Sequence, residues 1–243
     1  MTDDNPNTNF DGVVVPPLVL ELAAGRPVDP VWVNQIGGVT YAIDGGAEYV
    51  KYGPPHDEFD PDPEFARLRW VSAFVNAPRP IDHGLDEAGN RWLRTVGIPA
   101  TSAVLDDWRD HPDVVVPELG RALRRFHDLV PVDECRWECS VDGRLAGSSV
   151  VPPPLPDRPA MDAVVCHGDA CNPNFLLDEA GRCVGYVDLG RLGVGDRWAD
   201  LAPALLSLGW NFGEGWEPAF LDGYGVERDA EKQDFYTWVW NAI

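Results

Sequence analysis

The fold is decided by residues Val164–Asp169, which read Val-Val-Cys-His-Gly-Asp. The apolar run Ala163–Cys166 is typical of a short buried strand. Asp169 is therefore predicted on a loop at a strand end, where rigid scaffolds often place catalytic groups. Two further stretches, Asn174–Leu177 and Arg182–Val187, flank an Asp-Glu-Ala-Gly turn and predict a hairpin.

This hairpin is predicted to bring three oxygen-bearing side chains together. Asn174 opens its first strand, and Asp188 follows its second. The open ends of an antiparallel hairpin are neighbours, so both residues should lie near Asp169. An Asn and an Asp supply hard oxygen ligands for Mg²⁺, and the other Asp can orient a hydroxyl and take its proton. For each residue alone, ordinary turn chemistry is the alternative, because Asp and Asn also favour turns.

The residues around the hairpin resemble the signatures of a known family. The stretch His167–Phe175 is similar to the catalytic loop of the aminoglycoside 3′-phosphotransferases, and Asp188–Gly193 with Asp196–Leu201 is similar to their second signature. The resemblance runs from about Trp32 to the C-terminus. It implies an α+β fold of the two-lobed, protein-kinase-like type, with a small antiparallel-sheet N-lobe and a mainly helical C-lobe.

The resemblance also implies a role for each residue of the site. Asp169 corresponds to the catalytic base, and Asn174 and Asp188 correspond to the magnesium ligands. Arg191 corresponds to a residue beside the substrate. Asp200 resembles the helix aspartate that supports the catalytic loop.

The first part of the chain is predicted to form the small sheet. Short apolar runs separated by turns predict four strands, at Val31–Val33, Val39–Ile43, Glu48–Tyr52 and Arg91–Val96. A helix is predicted over Glu64–Val75, ended by Pro78 and Pro80. We expect a nucleotide-binding lobe at residues 1–96, of which 1–9 are disordered, then a hinge at 97–101 and a catalytic and substrate-binding lobe at 102–243.

Lys51 is predicted to contact the nucleotide. It is one of two lysines in the chain, against 17 arginines (19 − 2), and lies in the middle of a strand. A compact ammonium on a flexible stem suits phosphate groups. Lys51 resembles the ATP-binding lysine of the family, and Glu64 resembles the helix glutamate that pairs with it. The alternatives are an edge-strand charge for Lys51 and a helix-dipole contact for Glu64.

A glycine pair is the third predicted nucleotide contact. Gly37 and Gly38 lie in the predicted hairpin Asn34–Tyr41, which by the resemblance covers the nucleotide. Glycine lets backbone amides approach phosphates closely. A plain turn is the alternative.

The second lobe is predicted to be helical. Apolar residues at helical spacing predict a helix with one apolar face, formed by Leu119, Leu123, Phe126 and Leu129. His127 lies beside this face and is interpreted as structural, and His167 is interpreted as a brace of the loop before Asp169. Residues 143–159, rich in Gly, Ser and Pro, predict a loop, and the tryptophan-rich chain from Arg197 onward predicts helices.

Composition limits the function. Forty acidic residues against 19 basic ones give a net charge of −21, which repels nucleic acid and attracts cations, although acids also serve solubility. No stretch has the ~20 apolar residues of a membrane span. Met1–Asn9 lacks the basic start of a signal peptide. We expect a cytoplasmic protein with a small cationic substrate, and no binding of nucleic acid or membrane.

The cysteines raise one alternative. Five cysteines without a secretion signal indicate reduced thiols. Cys166, His167 and Cys171 suggest a zinc site, but no Cys-x-x-Cys pair accompanies them.

The sequence thus predicts an ATP- and Mg²⁺-dependent phosphotransferase acting on an aminoglycoside 3′-hydroxyl or a similar amino sugar. Two substrate-contacting segments of the family differ here: its acidic segment is reduced to the proline-rich Val150–Pro159, and Trp238–Ile243 lacks acidic side chains. The acceptor, the choice of ATP or GTP and the oligomeric state therefore stay open. Alternatives are a kinase of another metabolite, a silent nucleotide-binding module, and a hydrolase using Asp169 and Asp188 as acid and base.

Overall fold

The computed structural model describes residues 7, 9–34, 36–56, 59–145 and 161–242, without the side chains of residues 106, 107 and 145. The chain divides into two compact units. The first comprises the described residues up to Ala73 and from Ala77 to Pro99, and the second comprises Phe74–Asn76 and the described residues from Ala100 onward. The predicted disorder of residues 1–9 lies outside the described residues, except at 7 and 9.

The first unit is built on an antiparallel sheet. Its elements are α1 (Pro17–Ala23), β1 (Val28–Val33), β2 (Val39–Ile43), β3 (Glu48–Gly53), α2 (Pro61–Val71), β4 (Pro80–Leu85) and β5 (Arg91–Val96), and the strand order is β1-β2-β3-β5-β4. All four predicted strands are confirmed. The core of this unit forms where α1 packs on the sheet, through Val19, Ala23, Tyr41, Ile43 and Val50.

The helix α2 differs from its prediction at both ends. It begins at Pro61, where Asp60 caps the first turn by accepting a hydrogen bond from the Asp62 N–H. It ends at Val71, so the predicted end at Val75 is wrong. The reason is that Phe74–Asn76 belong to the second unit, where the Asn76 carbonyl accepts a hydrogen bond from the Tyr186 N–H of β9.

The prolines after α2 have a different role from the predicted one. Pro80 begins β4, an edge strand that the sequence pattern does not predict. Proline is tolerated as the first residue of an edge strand, because no ladder hydrogen bond is lost there.

The second unit contains two small sheets and most of the helices. Its strands are β6 (Thr101–Ser102), β7 (Ala163–Cys166), β8 (Phe175–Leu177), β9 (Cys183–Tyr186) and β10 (Gly193–Asp196), paired in the orders β6-β8-β9 and β10-β7. The predicted hairpin is β8-β9, with Phe175 opposite Tyr186.

The helices of the second unit are α3 (Pro112–Leu129), α4 (Val141–Leu145), α5 (Trp198–Phe212), α6 (Glu217–Tyr224) and α7 (Ala230–Asn241), with short 3₁₀ turns at Asp106–Asp110, Val132–Glu134 and Asn172–Asn174. The predicted loop 143–159 overlaps the end of α4, and the rest of it, including Val150–Pro159, lies outside the described residues. Within the described chain, none of the helices has both the length and the apolar character of a membrane span.

The apolar face of α3 is confirmed except at its end. Leu119, Leu123 and Phe126 are fully buried, but Leu129 is 56% exposed. Val130 is buried instead of Leu129, because a residue four positions after Phe126 lies on the same face of the helix as Phe126. The α+β fold class is confirmed.

Glycines allow α3 and α6 to meet at backbone distance. A Cβ atom at Gly120 would lie 2.1 Å from the Phe220 carbonyl oxygen, and one at Gly223 would lie 2.3 Å from the Pro117 carbonyl oxygen. Neither oxygen can move without moving its helix. This crossing therefore requires glycine on both sides.

We expect Gly120→Ala to destabilise the protein by about 3 kcal/mol or more, because overpacking at a backbone contact forces the helices apart. Gly209→Ala is the matched control: it lies in α5 with no heavy atom within 4 Å of its added Cβ. That change should instead stabilise by up to about 1 kcal/mol, from helix propensity. The urea midpoints of the two variants measure these changes in stability. Equal effects of the two changes would contradict the requirement for glycine where α3 and α6 cross.

Candidate active site

The loop after β7 is fixed by one buried carboxylate. Asp200, on α5, is fully buried. Its Oδ2 accepts the His167 N–H at 2.5 Å, and its Oδ1 accepts the Gly168 N–H at 2.9 Å. Two consecutive loop amides are thereby satisfied away from water, and the loop conformation is tied to α5.

Asp200 is itself held by His127. The His127 Nε2 lies 3.0 Å from Asp200 Oδ2, and its Nδ1 lies 2.8 Å from the Tyr224 hydroxyl. Burial alone raises the pKa of Asp200, but the hydrogen bonds from His127 and the Gly168 amide outweigh it, so the pKa lies below its usual value. His127 occupies the structural position that its place beside the apolar face predicts.

Asp169 follows Gly168 and is partly buried. Its backbone N–H donates to His167 Nδ1 at 3.3 Å, which is the contact that a bracing role for His167 requires. Among the described residues, its buried Oδ1 has no hydrogen-bond partner. Burial raises the pKa of Asp169, and the negative charge of Asp188 raises it further. A carboxylate of raised pKa is a better proton acceptor.

The predicted convergence at the hairpin ends is present. Asn174 Nδ2 donates to the Asp169 carbonyl at 2.9 Å, and the Asn174 carbonyl accepts the Val187 N–H at 3.0 Å. Asp188 comes next in the chain and is exposed. Its φ of +62° is a left-handed conformation, which Asp tolerates better than most residues.

These oxygens suit a magnesium ion. Since Asn174 donates through its amide nitrogen, its amide oxygen is left as an acceptor, and the Asp188 carboxylate is a second oxygen donor, close enough to raise the pKa of Asp169. Mg²⁺ commonly takes one or two protein carboxylates and completes its shell with water and phosphate oxygens. The donor set therefore fits Mg²⁺.

The zinc alternative has no support in the described part of the chain. The described residues contain no group of three or more His, Cys, Asp or Glu side chains placed to hold a metal ion. Cys166 instead directs its thiol to the Asp196 carbonyl at 3.3 Å.

Arg191 lies beside the catalytic loop. A Cβ at Gly168 would be only 2.2 Å from the Arg191 carbonyl oxygen, and Gly168 has a φ of +89°. Only glycine fits at position 168 for both reasons. This contact places the Arg191 backbone next to the residue that precedes Asp169.

In the first unit, Lys51 and Glu64 form an ion pair. Lys51 Nζ lies 2.7 Å from Glu64 Oε1, and Glu64 is only 4% exposed although it lies in the first turn of α2. Lys51 lies on β3, which has a strand on each side, so the edge-strand alternative is wrong.

The glycine pair forms the turn between β1 and β2. Gly37 has a φ of +81°, and the Gly38 N–H donates to Asn34 Oδ1 at 2.6 Å. A Cβ at Gly38 would lie 2.8 Å from the Asn34 side-chain nitrogen. Turn geometry therefore accounts for both glycines, and a phosphate contact stays a prediction.

Comparison with known proteins identifies the family. The family model described as "Phosphotransferase enzyme family" matches residues 148–236. An aminoglycoside 3′-phosphotransferase of Streptomyces fradiae is 33% identical, over 82% of this chain and 89% of the relative. The chain belongs to the aminoglycoside phosphotransferase family.

Solved structures of aminoglycoside phosphotransferases share the fold. One is an aminoglycoside 3′-phosphotransferase of type VIII, with a TM-score of 0.73, 27% identity and coverage of 93% of this chain and 97% of that one. Another, from Streptomyces rimosus, was solved with ADP and streptomycin and has a TM-score of 0.69, 25% identity and coverage of 91% and 95%. The kinase-like fold is thereby confirmed.

Two side chains that contact the catalytic loop are not predicted from the sequence. Ser207, on α5, accepts the Asn172 N–H at 2.9 Å, and Arg144, on α4, donates to the Gly168 carbonyl at 2.7 Å. The position of Ser207, seven residues after Asp200, was a signal for the first contact, because both then share one face of a helix. No periodic pattern signals the second contact, since Arg144 lies in a stretch whose Gly, Ser and Pro content predicts a loop.

We expect Asp200→Asn to destabilise the protein by about 3–5 kcal/mol, the range for breaking a buried charged hydrogen-bonded group. The new NH₂ group would face the N–H of His167 or of Gly168. Because the pKa of Asp200 is lowered on folding, its stabilisation is present above about pH 4 and is lost as the pH falls through the folded-state pKa. The difference in the free energy of unfolding between the wild type and Asp200→Asn should therefore become smaller at acid pH.

Denaturant titrations at several pH values test this. Asp128→Asn is the control, since Asp128 forms an exposed i,i+4 ion pair with Arg124. Such pairs contribute about 0–1 kcal/mol. A similar, small effect of both changes would show that the Asp200 hydrogen bonds do not hold the loop.

Proposed function

We propose that this protein transfers the γ-phosphoryl group of ATP to a hydroxyl of an aminoglycoside, at the 3′ position, or of a similar amino sugar, in the cytoplasm. One observation carries the proposal. The Asp169 carboxylate lies at the end of a loop fixed by Asp200, and its buried Oδ1 has no hydrogen-bond partner among the described residues. Such an oxygen suits a substrate hydroxyl.

The reaction assigns Asp169 the role of proton acceptor. A bond forms between the acceptor hydroxyl oxygen and the γ-phosphorus, and the bond from that phosphorus to the ADP oxygen breaks. Asp169 orients the hydroxyl and accepts its proton, so that a phosphate monoester and ADP leave. The chemistry depends mainly on positioning and electrostatics, which explains why the fold fixes this loop so firmly.

Asn174 and Asp188 are proposed to hold the magnesium ion. When bound, Mg²⁺ offsets the negative charge of the phosphates during transfer. Asn174 also donates to the Asp169 carbonyl, so one residue links the ligand set to the base. ATP should therefore bind tightly only with Mg²⁺, and calorimetry with and without a chelator measures this.

Lys51 is proposed to contact the ATP phosphates. Glu64 holds its ammonium at 2.7 Å and limits the rotamers of the long side chain. The turn amides of Gly37 and Gly38 are proposed to approach the nucleotide from β1 and β2.

The acceptor is proposed to be cationic. The net charge of −21 attracts amines, and a relative of similar fold binds streptomycin. Arg191, beside the catalytic loop, is proposed to lie next to the substrate. A coupled ADP-release assay with aminoglycosides, and with neutral sugars as the control, tests the acceptor class. Turnover on neutral sugars alone would exclude an aminoglycoside.

Asp169→Asn should lower kcat by roughly 10²-fold or more, with the affinity for MgATP little changed, because the charge that accepts the proton is lost. Asp188→Asn should in addition weaken MgATP binding, because a metal ligand is lost. Steady-state kinetics and nucleotide calorimetry measure the contrast.

The matched control is Asp178→Asn, in the turn of the same hairpin, where Asp178 binds Arg182. It should leave kcat unchanged. If Asp169→Asn keeps near-wild-type kcat, the assignment of the base is wrong, and if Asp188→Asn binds MgATP normally, the assignment of the metal ligand is wrong.

Lys51→Ala should raise the KM for ATP several-fold, and Lys51→Arg should not restore it fully, because a guanidinium places its charge differently. Arg26→Ala removes an ion pair with Glu48 in the same unit and is the control. Only the Lys51 variants should change the KM for ATP. An unchanged KM in both would leave Lys51 with a structural role alone.

A further inference from the structure

The peptide groups of Gly168 are held from two sides. Its N–H donates to Asp200 Oδ1 at 2.9 Å, and its carbonyl accepts a hydrogen bond from Arg144 Nη2 at 2.7 Å. The carbonyl of Gly168 and the N–H of Asp169 belong to one planar peptide group. A contact that fixes this carbonyl therefore fixes the direction in which the chain enters Asp169.

Arg144 is itself anchored away from the loop. Its Nε and Nη2 donate to Cys139 Sγ at 3.3 and 3.0 Å, and its Cζ lies 6.0 Å from the centre of the Trp240 ring. Cys139 is 4% exposed, and its backbone N–H donates to the Val194 carbonyl at 2.8 Å. The guanidinium is thus fixed by a buried sulfur and an aromatic ring before it reaches Gly168.

The bond from Arg144 to the sulfur is charge-assisted. Hydrogen bonds from an ionised donor such as a guanidinium are stronger than those between neutral groups. Arg144 therefore bridges a buried sulfur and the catalytic loop.

We infer that Arg144 is a positioning residue for phosphoryl transfer, which directs Asp169 toward the acceptor hydroxyl by holding the Gly168 carbonyl. The inference rests on the proposed function. Arg144 acts only through the backbone. Its loss should affect the chemical step more than nucleotide binding, because Asn174 is bonded to the Asp169 carbonyl and not to that of Gly168, and Lys51 lies in the first unit.

Arg144→Met tests the inference, because methionine keeps an unbranched apolar side chain against Trp240 and has no donor. We expect kcat to fall by ~10-fold or more, since small misplacements of a reacting group can cost up to ~10²-fold. The KM for ATP should stay within about twofold, on the rule that an interaction felt only in the chemical step changes kcat. Arg144→Lys, which keeps one donor for the carbonyl, should recover part of the loss.

The matched control is Arg125→Met. Arg125 also donates to a backbone carbonyl, that of Cys183 at 3.2 Å, and to Glu118 at 2.9 Å. It should change stability but not kcat per folded molecule. The ¹³C chemical shift of the Gly168 carbonyl is a second measurement. It should change in Arg144→Met and be unchanged in Arg125→Met.

Wild-type kcat in a folded Arg144→Met protein overturns the inference, and so does a raised KM for ATP with unchanged kcat. If Arg144→Met does not fold, Arg144→Lys decides: a several-fold lower kcat at unchanged KM supports the inference, and wild-type kcat overturns it. Asp169→Asn distinguishes a failure of this inference from a failure of the proposed function. If that variant is impaired and the Arg144 variants are not, only this inference fails, whereas a fully active Asp169→Asn removes the proposed function.

Discussion

The structure of the second unit depends on the burial of one carboxylate. Moving a charge out of water is costly unless hydrogen bonds replace the lost hydration. Asp200 meets this requirement with the amides of His167 and Gly168 and the ring of His127. The same donors that keep Asp200 ionised also hold the loop. The hydrogen bonds that stabilise the buried charge are therefore the same ones that fix the loop, and they connect α3, α5 and the end of β7.

The chemistry of the site follows from what this constraint leaves unsatisfied. The backbone of the loop is bound at His167 and Gly168, while the buried Oδ1 of Asp169 has no partner in the described chain. In the proposed reaction, this oxygen accepts the hydrogen bond of the acceptor hydroxyl. In the first unit, the Lys51–Glu64 pair fixes a cation by the same principle, that a buried charge is ordered by an opposite one.

Much of this arrangement could be predicted from the sequence, where local rules decide it. The approach of Asn174 to Asp169 follows from hairpin geometry, and the strands of the first unit follow from alternation and turns. The end of α2 at Val71 could not be predicted, because it depends on the pairing of Asn76 in the second unit. The contact from Arg144 to Gly168 could not be predicted either, since a buried sulfur, and no periodic pattern, places that guanidinium.

The most direct test of the proposed phosphoryl transfer is ³¹P NMR of the products after the wild-type protein has reacted with MgATP and an aminoglycoside. Phosphoryl transfer to a sugar hydroxyl should give one new phosphate monoester for each ADP, with its phosphorus coupled to the proton on a sugar carbon that carried a hydroxyl. ADP accompanied only by inorganic phosphate and unmodified acceptor, across a panel of aminoglycosides and related amino sugars, would contradict it.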